Sequence, residues 1–238
     1  MVGIGPGGKQ DRTFRAEAAI VGSDCIVGYT TYLSFIQDLT QGKEVIATGM
    51  RKEVERCQVV LERAMAGKTV ALVCSGDAGI YGMAGLLLQL AQAAKAPVPI
   101  EIIPGVTAAS AAAALLGAPL MLDYATISLS DLLVPWDSIQ RRLNAVADAD
   151  MVTVLYNPKS KTRKTQLEEA VAIFRKYRQP ATPVGIVSAA GSDEQEHLLT
   201  DLEHVLSADI HMRSVVVIGN STSYISQGWF ITPRGYKL

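Results

Sequence analysis

The chain has 238 residues, of which 49% are hydrophobic and 19% charged. Such a composition buries a real core, fits one large or two small α/β domains, and excludes a disordered tail. A formal net charge of −1 leaves no bulk electrostatic attraction for nucleic acid.

Val2–Gly8 (VGIGPGG) reads as a short strand entering a glycine loop. A helix over Arg12–Val21, a strand over Cys25–Gly28, a helix over Thr31–Leu39 and a strand over Glu44–Ala47 follow. Lys52–Ala66 is helical and stops at Gly67, where a left-handed cap is easiest. Thr69–Cys74 and Ile100–Ile103 are apolar runs of strand length on either side of a helix over Ala84–Ala94, and an alanine-rich helix follows Thr107. After Gly117-Ala118-Pro119 the pattern restarts with a strand at Ala125–Leu129, a helix at Pro135–Ala147 and a strand at Met151–Tyr156. Thr165–Tyr177 is an amphipathic helix, and strands are expected at Pro183–Ser188, His197–Thr200, Ser214–Ile218 and Gly228–Ile231. This alternation predicts a mostly parallel sheet with helices on both faces, arranged as two α/β domains, 1–117 and 118–238.

Ile102–Leu122 is free of charge, but its prolines and glycines make it a buried turn plus helix, not a membrane span. The chain opens on a strand and not on a secretory signal, so a cytoplasmic protein is expected. Cys25, Cys57 and Cys74 lack CxxC spacing and are expected as buried thiols of a reducing compartment. His197, His204 and His211 recur every seven residues on a broken segment, and no metal site is expected there.

In open α/β sheets ligands sit beyond the carboxyl ends of the strands. Two turns occupy such ends, Ser75-Gly76-Asp77-Ala78-Gly79 and Pro104-Gly105-Val106-Thr107, and together they would line one hollow. Asp77 either faces a ligand or caps a helix beginning near Ile80, and Thr107 is open to the same two roles. GIGPGG does not satisfy the dinucleotide fingerprint, because Pro6 sits inside the loop and Lys9-Gln10-Asp11 delays the helix. Its residues are either a tight turn or a bare backbone on which a bulky ligand can lie. Asn157–Lys164 (NPKSKTRK) gathers four basic side chains in or beside one turn, either a solvated surface or a grip on substrate carboxylates.

Taken together these segments resemble the tetrapyrrole methylases. The matching pieces are GIGPGG, SGDAGIYG, IIPGVTAASAAAALLGAPL, the LYNP turn and the late VVVIGNS, in the family's order and across nearly the whole chain. ISLSDLLVPW, LYNPKSKTR and ITPRGY resemble most closely the branch that methylates C17 of precorrin-3B or cobalt-factor III in cobalamin synthesis. The resemblance implies two α/β domains of the class III methyltransferase type, a homodimer, and S-adenosyl-L-methionine held in a cleft between the domains. It implies cofactor contacts from Pro6, Gly76, Asp77, Ala78, Tyr81, Thr107, Ala108, Asn157 and Ala190. It implies a tetrapyrrole (precorrin) substrate whose carboxylates meet Lys161 and Arg163, with Arg12, Arg15 and Arg234 behind. Ring contraction needs proton transfers, for which Ser130 and Asp131 are the first candidates and Ser128, Asp123 and Tyr156 the others. Ser130 and Asp131 could equally cap the turn that follows them. Two departures stand beside this pattern: Gly8-Lys9 where relatives often carry an aspartate soon after the first glycine loop, and Leu122 before Asp123 where many C17-methyltransferases carry histidine.

Overall fold

A computed structural model describes residues 1–237. The chain divides into two compact units, Met1–Ala108 with Gly191–Asp193, and Ala109–Ala190 with Glu194–Leu238. The division therefore leaves the alanine-rich helix almost wholly in the second unit, whereas the sequence places it in the first domain, 1–117. Strand pairing gives the reason. Gly117 and Ala118 form a parallel ladder with Phe230 and Ile231, which belong to the second unit.

The first unit is a parallel four-stranded sheet. Its strands are β1 (Val2–Gly3), β2 (Cys25–Tyr29), β3 (Glu44–Thr48) and β4 (Val70–Cys74), in the order β1-β4-β2-β3. Helices α1 (Phe14–Val21), α2 (Thr30–Ser34), α3 (Glu53–Met65) and α4 (Ala84–Ala93) accompany it. Consecutive strand residues enter opposite cores. Val27 and Leu72 pack with Leu61 and Leu87 on one face, while Ile26 and Val73 pack with Ile4 and Ile20 on the other. A sheet buried on both faces needs continuous apolar runs, which is why VALVC and CIVGY carry no polar alternation. Thr13 caps α1 by accepting a hydrogen bond from the Ala16 amide at 3.1 Å. The strand expected at Ile100–Ile103 shrinks to a single bridge between Val2 and Ile103. Pro97, Pro99 and Pro104 remove the donors a longer ladder would use.

The second unit contains α5 (Ala108–Leu116, from its second residue on), β5 (Gly117–Ala118), β6 (Tyr124–Ser128), α6 (Trp136–Asp148), β7 (Val152–Tyr156) and α7 (Gln166–Phe174). β8 (Pro183–Ser188), β9 (Glu196–Asp201), β10 (Ser214–Ile218), β11 (Tyr224–Ser226) and β12 (Trp229–Ile231) complete it. Its main sheet runs β6-β7-β10-β8-β9, and here the expected parallel arrangement is wrong. Only β6 and β7 are parallel; β10 runs against both β7 and β8, and β9 runs against β8. β7, β8 and β10 are buried along their whole length, so their sequences look like parallel strands although their directions are not. Phe174, Leu143, Ile139, Leu155 and Val216 fill the core under α6 and α7. A small second sheet, β11-β12-β5, closes the unit and was not visible in the sequence pattern.

Among the described residues no helix is long and apolar enough to cross a membrane, and no cluster of side chains could hold a metal ion. His197 lies in β9, His204 is tied to Asp201, and His211 lies outside the strands, so the three do not converge. The three cysteines are buried and unbridged. Burial pushes the Cys74 thiol from its ordinary 9.0 up to about 12. The folded state keeps this thiol protonated, so its contribution to stability is complete below about pH 9 and is lost as the pH rises through about 12. Urea midpoints should fall across that alkaline window in the native sequence. In Cys74→Ala the same decline should be shallower.

Candidate active site

In the first unit, the ends of β1 and β4 and the turn after Ile103 meet through backbone alone. Gly5 and Gly76 exchange two hydrogen bonds, at 3.2 and 2.7 Å. The Gly3 amide donates to Ile103 O at 3.0 Å and the Ile4 amide to Cys74 O at 2.9 Å. The approach is too close for side chains. A Cβ on Gly105 would stand 2.3 Å from Gly76 O, and one on Gly3 would stand 2.7 Å from the same oxygen.

Asp77 ties these turns together. Its Oδ1 accepts from the Gly79 amide at 2.7 Å and its Oδ2 from the Gly105 amide at 3.0 Å. The capping alternative near Ile80 is not what forms: α4 starts at Ala84, its N-cap is Met83, and no side chain caps it. Asp77 is thus a brace between two strand-end loops. Gly76 is left-handed at φ +66°, and the space where its Cβ would point meets only Ala108 N at 3.9 Å and Thr107 Cα at 4.0 Å. The structure brings Gly76, Asp77, Ala78, Thr107 and Ala108 to one place, with bare backbone toward open room. Tyr81 also sits left-handed, at φ +52°, and is exposed. For an aromatic residue that conformation costs on the order of 1–3 kcal/mol and needs support from its surroundings. Pro6 follows left-handed Gly5, and a Cβ on Gly191 would approach Pro6 Cγ to 2.9 Å.

In the second unit, the parallel pairing of β6 and β7 sets Ser128 opposite Tyr156, so the two turns beyond them lie side by side. Asn157, left-handed at φ +52°, donates from Nδ2 to Ser128 Oγ at 3.0 Å. Arg163 is 9% exposed and donates from Nε to Asn157 O at 2.8 Å and from Nη1 to Ser130 Oγ at 3.4 Å. Burial lowers its pKa, and Asp131 nearby opposes that shift. Asp131 accepts from Gln166 Nε2 at 2.8 Å. Ser130, Asp131, Asn157 and Arg163 therefore form one network, with Lys161 exposed on the same turn. Ala190 is half-buried after left-handed Ala189. Tyr156 Oη accepts from the Ala109 amide at 2.8 Å, in the first turn of α5. Arg12 and Arg15 are engaged elsewhere, on Asp38 and Glu101 respectively.

Sequence reasoning missed Gln166 and the bracing role of Gly105. Gln166 reads as an ordinary helix residue, and nothing local marks a glycine whose amide meets a carboxylate 28 positions away.

The profile of the Tetrapyrrole (Corrin/Porphyrin) Methylases matches residues 1–206. The chain belongs to that family. A probable cobalt-factor III C(17)-methyltransferase of Salmonella typhimurium is 47% identical to this methylase, over 100% of the chain and 99% of the relative. A precorrin-3B C(17)-methyltransferase of Sinorhizobium sp is 37% identical over 99% of the chain and 96% of the relative. The crystal structure of the methyltransferase CobJ superposes with a TM-score of 0.91 at 34% identity, covering 98% of each chain.

The brace in this methylase has a measurable weight. Asp77→Ala strands the Gly79 and Gly105 amides and should cost about 2 kcal/mol in urea denaturation. Asp77→Asn, which keeps one acceptor, should lose less.

Proposed function

We propose that the chain transfers a methyl group from S-adenosyl-L-methionine to C17 of cobalt-factor III or precorrin-3B, with ring contraction, in cobalamin biosynthesis, and that it works as a homodimer. The observation that carries this reading is the 47% identity, end to end, with a relative named for that reaction. The relative named for precorrin-3B is 37% identical, and the difference favours the cobalt-bearing substrate.

When bound, the sulfonium cofactor supplies an electrophilic methyl whose positive charge disperses during transfer. The protein's task is alignment and exclusion of water, which contributes up to roughly 7–11 kcal/mol. Gly76, Ala78, Thr107 and Ala108 offer backbone for the cofactor, with Asp77 holding their loops in place. Pro6, Tyr81, Asn157 and Ala190 are assigned to the same ligand. Lys161, being exposed, meets a substrate carboxylate. Arg163 is already bonded to Asn157 and Ser130, so its charge acts from beneath the turn. Ser130 and Asp131 are assigned to proton transfer at a ring oxygen, oriented by Arg163 and Gln166.

Incubation with cobalt-factor III and methyl-labelled S-adenosylmethionine should place one label at C17, read by NMR of the product. Label at another carbon, or none in either tetrapyrrole, overturns the assignment. Lys161→Ala should raise the substrate KM about tenfold with little change in kcat, the loss of one charged contact.

A further inference from the structure

Arg56 lies on α3, away from every segment assigned above, yet it is 2% exposed. Its Nε donates to Thr48 Oγ1 at 2.5 Å, on the last residue of β3, and its Nη2 to Gly49 O at 2.9 Å, on the connection that follows. Its Nη1 donates to Met83 Sδ at 3.2 Å. No carboxylate stands within ion-pair distance of this guanidinium among the described residues. A buried cation with only neutral partners is a costly way to fill space, and leucine or methionine would fill it at lower cost.

What the cation reaches explains its presence. Met83 closes the Gly79–Met83 loop and serves as N-cap of α4, although its side chain gives no cap bond. Its thioether sulfur accepts from Arg56, so the end of the loop is held from α3. Between Asp77 and Met83 the chain carries left-handed Tyr81, and a Cβ at Gly82 would collide with Ala78 O at 2.4 Å. The loop is anchored by Asp77 at its start and by Met83 at its end, with a strained aromatic residue between.

We propose that Arg56 is a positioning residue for the cofactor loop: by clamping Met83 against the β3–α3 connection, it holds Tyr81 in its left-handed conformation and sets cofactor affinity. This rests on the proposed methyltransferase function, because it takes the 76–81 loop as the cofactor's seat. Arg56 touches no reacting atom in this scheme.

The test uses the full chain, with S-adenosylhomocysteine as the calorimetric probe. Arg56→Met keeps the volume and removes all donors; it should raise the Kd about tenfold while the tetrapyrrole KM stays within about twofold. Arg56→Lys, retaining one donor, should recover part of the affinity. Met83→Leu disturbs the clamp from its other end without removing a charge and should weaken binding in the same direction. Combined with Arg56→Met it should add nothing further, as expected when two changes break one interaction. Folded variants with unchanged Kd and only a lower Tm would overturn the proposal and leave Arg56 a plain core brace. If the wild-type chain takes up no S-adenosylhomocysteine, the methyltransferase reading falls instead. The clamp is then judged by amide exchange, which Arg56→Met should accelerate at 79–84 and beside its other partners at 48–49 and nowhere else; uniform or unchanged exchange would refute it.

Discussion

A single carboxylate locks together two loops that the main chain of β1 already draws close. Asp77 sits where β4 ends and reaches the amide of Gly105, on a turn that follows a strand reduced to one bridge. With so little ladder beneath it, the 104–107 turn depends on that charge-assisted bond for its place, and such bonds are the stronger ones. Glycine makes the contact possible, because at Gly3 and Gly105 the backbones approach more closely than any Cβ permits.

The second unit solves the same problem by different means. There the strand-end turns are joined by side chains, with Arg163 grasping the Asn157 carbonyl and Ser130 while Asn157 reaches Ser128. A buried guanidinium fits this role because its planar fork can serve two acceptors at once. One unit thus offers bare main chain and the other a polar network with exposed lysines beside it.

Much of this was legible in the sequence, and what was not has physical causes. Runs such as VALVC and VVVI gave the strands and their burial, yet said nothing of direction, so β10 reads as parallel when it runs against both neighbours. SGDAGIYG marked a turn at the end of β4, but left open whether Asp77 faces a ligand or a helix. Neither alternative anticipated a bond to Gly105, because that partner is fixed by folding and not by spacing. Arg163 looked like a free cation in a basic turn, and burial makes it an internal one. The two-residue strands β5 and β1 lie below any periodicity, and Gly117–Ala118 becomes a strand only because β12 is there to pair with it.

The crowding at Gly3 and Gly105 also decides where this scaffold can diversify. Any side chain placed at Gly3 or Gly105 collides with main-chain atoms, which have nowhere to retreat. Those two positions are thereby frozen against drift, one residue type at each. Change is far easier at exposed positions such as Lys161 and Lys164 on the turn after β7, where one side chain can replace another without moving a backbone.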